Sequence, residues 1–553
     1  MYKYLLLLLI VPQILLSQSK RKLKKIKALQ LIEKAKQNDS IVKNLQTHVT
    51  FLADDKLLGR RTGTEGEKLA MEYLVKQYES IGLLKTSNSY TQSFEVNDGK
   101  NYRNANTYLK IDDINIDQKN FFPLHFSANK SIKNLVSVSL RESNSIWIID
   151  IKEAAEENKT NPHFDVLNYL LNQSTKYEKN GANGIIFINS SSNQIEIPFD
   201  KKTNIKSLNI PVIYLEKNVA LNFVKDVTAS FKIEFSVELF DEKRIAKNII
   251  GFIDNNATNT IILGAHYDHL GFGEDKNALD TAFEIHNGAD DNASGSAALI
   301  ELARLIKNKQ NKNYNYLFIH FSGEELGLLG SKFWLDNPTI KIHPNCMINM
   351  DMIGRYDTTH KLTIGGYGTS PTWSTILPNI TTSLITKFDS TGGGPSDHAS
   401  FYRKDIPVLF FFTGSHSDYH KTTDDASKIN YTDEALIVQY ILEVIDSLNT
   451  KPKLSFLKTA EPKMGKSNKF SVSLGVIPDY GFNGTGVRID GVSPNKLAEK
   501  IGLQAGDILL QLGEHTFTDV MSYMTSLSKF KKGDATTLKV KRGNNELSFD
   551  IIF

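Results

Sequence analysis

The sequence predicts an α/β fold with a mixed sheet, interrupted by a β-rich insertion and followed by a second β-rich unit. Three observations carry this. Apolar strand-like runs alternate with helical patterns over residues 239–450. Acids and imidazoles stand where those runs meet Gly-, Asp- or Ser-rich turns. Residues 116–238 and 470–553 are rich in short apolar strands and have no such clusters. A chain of 553 residues, 40% hydrophobic and 23% charged, is long enough for about three or four globular domains. Its 65 basic and 62 acidic residues leave a net charge of +3, too near balance to indicate a nucleic-acid partner. Cys346 is the only cysteine, so no disulfide closes within the chain, and its apolar neighbours mark it as a core residue.

In chain order, residues 1–19 have the pattern of a secretory signal. Lys3 precedes the apolar run Leu5 to Leu16, and Ser17-Gln18-Ser19 offers a cleavage site. That run is shorter than the ~20 residues of a membrane-spanning helix, so the mature chain is expected to be exported, periplasmic or secreted, with no membrane span; the alternative, given the basic stretch Lys20 to Lys27, is an uncleaved anchor. Residues 21–84 read as helical: Ile26, Leu29, Ile32 and Ala35 in one stretch, and Leu69, Tyr73 and Tyr78 in another. Between them lies the turn-rich Gly59-Arg60-Arg61-Thr62-Gly63-Thr64-Glu65-Gly66, with Thr64 and Glu67 at capping-box spacing. It serves either as a structural loop or as one wall of an active site. In the β-rich insertion, strands Ser145 to Ile151, Gly184 to Ile188 and Ile210 to Tyr214 flank a helix from Leu167 to Tyr177. The main α/β segment holds strands Ile249 to Ile253, Ile261 to Leu263, Tyr316 to Phe321, Met347 to Asp351 and Pro407 to Thr413. Its helices are Ala297 to Ile306 and Ile437 to Leu448. Residues 451–469 read as a polar, basic linker.

Ligands of open α/β sheets collect at the carboxyl ends of strands, and five metal-capable residues fall there. His266 follows Ile261 to Leu263, and neutral imidazole is a common zinc ligand. Asp268 is placed to accept its other ring N–H. His269 competes as a ligand, but extended geometry would put it across the strand. In Asp290-Asp291-Asn292-Ala293-Ser294-Gly295 one carboxylate can bridge two metals, although such a cluster is also an ordinary helix cap. Glu324 and Glu325 close an apolar strand and point differently, so one can bind metal while the other carries protons. Asp351 ends an apolar run where an unpaired charge is costly. His420 follows Tyr419 in a polar loop and gains meaning only from the other four.

GAHYDHLG, GADDNASGSAALIELAR, FSGEELGLLGSKFW, NMDMIG and SDYHKTTDD, in that order, closely resemble the co-catalytic dizinc aminopeptidases. That family has relatives among glutamate carboxypeptidases, glutaminyl cyclases and non-catalytic transferrin receptors. The resemblance implies a zinc-exopeptidase-like domain built from residues 20–115 and 239–450. It implies one zinc held by His266, Asp291 and Asp351 and a second by Asp291, Glu325 and His420. It makes Glu324 the general base and acid and Tyr419 an oxyanion stabiliser, with water between the metals as nucleophile. It also implies a cis peptide bond after Asp291. The insertion, through Gly181 to Phe187 and Ile210-Pro211-Val212, resembles a protease-associated domain. Residues 470–553 resemble a PDZ domain: Leu474-Gly475-Val476 matches its carboxylate-binding loop, and Gly486 to Ile489 and Ala505 to Leu509 match its later strands. Such domains take extended peptides or protein C-termini by strand addition.

The function so implied is an exported aminopeptidase acting on peptides. A carboxypeptidase or dipeptidase would use the same metals and differ in pocket walls. A glutaminyl cyclase fits the doubled acid less well, and a binding protein has no need of all five ligands with Glu324. No G-x-S-x-G occurs for a serine hydrolase.

Overall fold

The computed structural model describes residues 38–159, 164–459 and 472–553, with breaks within 194–205 and at 227, 276, 281, 310–311, 358–360, 479–483, 493–495, 519 and 528. The expected signal segment 1–19, the expected helix from Ile26 to Ala35 and residues 460–469 of the expected linker lie outside the described residues. Two compact units result. One takes the chain up to Glu95, Ile245–Ser467 and Val492–Glu499; the other takes Val96–Arg244, Asn468–Gly491 and Lys500–Phe553.

The first unit is organised by an eight-stranded mixed sheet. Its strands are β1 (Thr91–Asn101), β2 (Phe240–Ile253), β3 (Thr260–His266), β4 (Asn315–Phe321), β5 (Pro344–Met350), β6 (Leu362–Gly365), β7 (Thr386–Phe388) and β8 (Val408–Phe412), in the order β1-β2-β4-β3-β5-β8-β6-β7. The centre β4-β3-β5-β8 is parallel; β2 joins β4, and β6 joins β8, antiparallel. Strands β3 and β4 are buried at every residue, which is why they read as continuous apolar runs rather than alternating ones. Helices α1 (Glu65–Ile81), α2 (Gly295–Lys307) and α5 (Tyr431–Leu448) share a core with one face of the sheet, including Leu74, Leu299, Ile348 and Ile441. On the other face α3 (Leu329–Asp336) and α4 (His398–Tyr402) contribute Trp334 and Phe401 to a second core with Ile262, Leu317 and Met347. Cys346 is fully buried, and burial pushes its thiol up, as a core residue requires.

The expected capping box does not form. Thr64 caps α1 without a side-chain bond; its hydroxyl donates to the Arg61 carbonyl instead, at 2.7 Å. Glu67 accepts from the Gly63 N–H at 2.7 Å and from the Ser322 hydroxyl, which ties α1 to the end of β4.

In the second unit, residues 96–244 form two four-stranded sheets. One runs Ile114–Ile116, Tyr108–Ile111, Ser230–Val237, Lys130–Ser137; the other Phe121–Pro123, Val212–Leu215, Ala182–Ile188, Ser145–Asp150. Where the sequence places the start of the insertion at 116, Tyr108–Ile111 already pairs with Ser230–Val237. The C-terminal region is a six-stranded sheet of Val476–Pro478, Val487–Val492, Ile508–Leu512, His515–Thr516, Ala535–Arg542 and Asn545–Ile552. Among the described residues no helix is long and apolar enough to cross a membrane.

A buried carboxylate and imidazole cluster at the strand ends

Parallel pairing brings the carboxyl ends of β3, β4 and β5 to one edge of the sheet, and the expected residues meet there. His266 is the last residue of β3, Glu324 and Glu325 follow β4, and Asp351 follows β5. Asp291 enters just before α2. Its close approach to β5 is why Gly295 is glycine: a Cβ there would lie 2.4 Å from the Asn292 Oδ1 and the Met350 carbonyl. The Asp291–Asn292 peptide bond is cis, as the resemblance implied.

The two oxygens of Asp291 face different imidazoles. Its Oδ1 lies 3.2 Å from His266 Nε2 and its Oδ2 lies 3.2 Å from His420 Nε2. Asp351 Oδ1 is 3.5 Å from His266 Nε2 and, though buried, has no hydrogen-bond partner among the described residues. Glu325 Oε2 is 3.2 Å from His420 Nε2. Glu324 stands apart, its Oε2 3.9 Å from His266 Nε2. His266, Asp291 and Asp351 can thus hold one cation, and Asp291 and Glu325 with an imidazole a second. The donor chemistry, nitrogen and carboxylate oxygen in a buried setting, fits zinc. Four carboxylates buried among imidazoles also need more positive charge than neutral rings supply.

The charges respond accordingly. Burial would raise the Asp291 carboxyl, but hydrogen bonds from His266 and His420 hold it well below the usual range. Burial likewise opposes the ionisation of Glu325, yet His420 brings it down to about 2. The Glu325 and Asp291 charges push His420 up to about 12 against its burial. Glu324 goes the other way: burial lifts it well above the carboxylate range despite His266, and the charges of Asp351 and Asp397 add to the lift.

Two expectations change. His269 is not across the strand from the site. β3 ends at His266, and the chain then turns, so His269 Nδ1 reaches Glu325 Oε1 at 2.7 Å and joins Asp291 and Glu325 as a metal-capable group. Only where the strand stopped could have revealed this. Asp268 does not use its carboxylate on His266. The His266 Nδ1–H donates to the Asp268 main-chain carbonyl at 3.2 Å, while the nearest side-chain oxygen is 3.8 Å away. That carboxylate instead accepts from the Thr62 hydroxyl at 2.8 Å and from the Glu324 N–H at 3.1 Å, anchoring the turn that bears both glutamates. Burial raises it to about 6.

Other supports lie in the quoted motifs and turns without having been singled out as site residues. Asp290 points away from the cluster, to the Gly354 N–H at 2.7 Å and His416 Nε2 at 3.1 Å. Asp424 Oδ2 accepts the N–H groups of Asp290 and Asp291 at 2.9 and 3.0 Å. Arg60 is buried, and its guanidinium donates to the carbonyls of Leu52, Tyr267, Asn287 and Gly288. Tyr419 stacks on His420 with centroids 3.9 Å apart. Of the pair Asp397-His398, the buried Asp397 carboxyl interacts with His266 and is raised by burial to about 7, while His398 stacks on Phe410 in the interior.

Residues 248–445 match the family model described as peptidase family M28, and residues 462–552 match that of the PDZ domain. Among curated proteins, the leupeptin-inactivating enzyme 1 of Streptomyces exfoliatus is 31% identical over 33% of this chain and 38% of its own length. Aminopeptidase YwaD of Bacillus subtilis is 26% identical over 43% of this chain and 49% of its own. Leucine aminopeptidase 1 of Ajellomyces capsulatus is 30% identical over 37% and 57%. The chain thus spans about half the length of these curated relatives. Among solved structures, the zinc aminopeptidase BSAP of Bacillus subtilis aligns with 76% of this chain and 96% of its own, at 18% identity and a TM-score of 0.42.

Proposed function

We propose that this chain, which carries a family M28 peptidase domain and a PDZ domain, is a zinc-dependent aminopeptidase that releases residues from peptide N-termini. The observation that carries the reading is Asp291, whose two oxygens each face the imidazole of a different donor group. His266, Asp291 and Asp351 would hold one zinc, and Asp291, Glu325 and His420 the other. When bound, the two ions would polarise the scissile carbonyl and acidify water. Glu324 lies beside the first group without belonging to it, so its carboxylate is free to take a proton and return it to the leaving amine. The Tyr419 hydroxyl, on the ring stacked over His420, is the donor for negative charge developing on the carbonyl oxygen. Relatives named as aminopeptidases favour the N-terminus as the end attacked.

In the same reading, residues 1–19 direct export to the periplasm or medium. The C-terminal domain takes an extended peptide or protein C-terminus at Leu474-Gly475-Val476, where Gly475 has φ +82°. The inserted module resembles a protease-associated domain, and its described residues include no metal-capable cluster.

The test uses residues 20–553 on a peptide with a free N-terminus and on its N-acetylated twin, read by mass spectrometry with and without chelator. Stepwise N-terminal loss from the free peptide alone, abolished by chelator and restored by zinc, is expected. Loss from the C-terminus of both peptides would replace the reading with a carboxypeptidase.

A further inference from the structure

The sequence leaves Gly59 to Gly66 open between a structural loop and a wall of the site. In the structure this turn meets residues 269–275, and Asn277 to Asp280 lie beside His420 and Thr422. Arg61 makes a bidentate ion pair with Asp275, Nε to Oδ2 and the terminal guanidinium nitrogen to Oδ1, both at 2.8 Å. Both side chains are nearly buried, 12% and 4% exposed. A forked, desolvated pair of this kind fixes position as well as contributing energy. The turn also meets the chain before Asp275 through its backbone: the Gly271 N–H donates to the Gly59 carbonyl at 3.0 Å and the His269 N–H to the Arg60 carbonyl at 3.1 Å. Gly271, at φ +65°, sits so close that a Cβ would lie 2.8 Å from Arg61 Cβ.

Two residues beyond Asp275 the chain touches the site. The Asn277 carbonyl accepts the Nδ1–H of His420 at 2.8 Å, and the Asn277 side-chain amide donates to the Glu325 carbonyl at 3.2 Å. The Leu279 N–H donates to the His420 carbonyl at 2.8 Å, and Asp280 accepts the Thr422 N–H at 2.9 Å. His420 lies in a loop with φ +54°, outside regular structure, so these bonds hold its ring. With Nδ1–H committed to the Asn277 carbonyl, Nε2 is the ring nitrogen left to bind a cation, and it lies 3.2 Å from both Asp291 Oδ2 and Glu325 Oε2.

We propose that Arg61 and Asp275 are positioning residues for His420: their ion pair pins the chain at Asp275, two residues before Asn277, so that the Asn277 carbonyl selects the tautomer and orientation in which Nε2 binds the second zinc. This rests on the two-zinc reading above. Neither residue is among the groups that would hold the metals. Their loss acts on one of the two cation positions and leaves the other alone.

The test is zinc binding by the full chain from residue 20, titrated in chelator-buffered free zinc and followed by mass spectrometry of the intact protein. The wild type is expected to fill two positions. Arg61→Met is expected to weaken one of them about 10- to 100-fold and leave the other unmoved. Asp275→Asn, which keeps the shape of the side chain, should move the same position in the same direction, and the double variant should be no worse than Arg61→Met. Unmoved binding in both single variants, or equal weakening of both positions, would overturn the latch. A wild type that takes fewer than two zinc ions would instead overturn the two-zinc reading, and the latch with it.

Discussion

In the inserted module the parallel strand Ser145–Asp150 ends on an acid, much as β4 and β5 of the large sheet lead into Glu324, Glu325 and Asp351. The surroundings differ. Asp150 is exposed, and it accepts from the Lys152 N–H at 3.0 Å, the Ser190 N–H at 3.1 Å and the Ser190 hydroxyl at 2.5 Å. Three neutral donors and solvent satisfy it. In the large sheet Asp291, Glu324, Glu325 and Asp351 are 12% exposed or less at the side chain, and the groups facing them are mostly one another and imidazoles. An acid at a strand end is therefore not in itself a site. What marks one is a buried excess of acceptors over donors, which a cation relieves.

Four outcomes would break or sharpen that contrast. Asp291→Asn removes the shared charge, so both zinc positions should empty and turnover should fall to background, with metal content read by mass spectrometry. Retention of two metals would remove the bridge from the account. Glu324→Gln should lower kcat by roughly 10²- to 10⁴-fold with zinc content unchanged; near-normal turnover would move the proton carrier elsewhere. The third outcome concerns the buried histidines behind the sheet. His320 sits between the Tyr78 hydroxyl at 2.8 Å and the Ser296 carbonyl at 3.1 Å, and burial lowers it from 6.5 to about 4; burial does the same for His48. Both are neutral in the fold at a pH where the unfolded chain would protonate them. Folded stability should therefore be intact above about pH 6.5 and decline as pH falls towards 4. His320→Gln should flatten part of that decline in thermal melts. The smallest effect is expected for Asp150→Asn, which should cost at most about 1 kcal/mol of stability and leave zinc content and turnover untouched. A loss of metal there would mean the two regions are less different than their donors suggest.

The sequence by itself determined a good part of this protein. Short apolar runs bounded by turn residues fit strands covered on both faces, so β3, β4, β5 and β8 were legible, and with them the strand ends where His266, Glu324, Glu325 and Asp351 stand. Motif order was enough to select Asp291 and His420. Tertiary structure alone decided what depends on where a chain turns after its last paired residue. His269 entered the cluster because β3 stops at His266. Asp268 turned its carboxylate to Thr62 and the Glu324 amide and left His266 to its carbonyl. Thr64 and Glu67 had the spacing of a capping box, but the Ser322 hydroxyl, 255 residues away, took the glutamate. Arg60 and Arg61 stand in a turn, and Asp424 in a motif, that the sequence marks, but the partners of these residues and of Asp275, 8 to 228 residues distant, are not written there. Periodicity reports the burial of an element, whereas a hydrogen bond between loops depends on folded distances that no local pattern encodes.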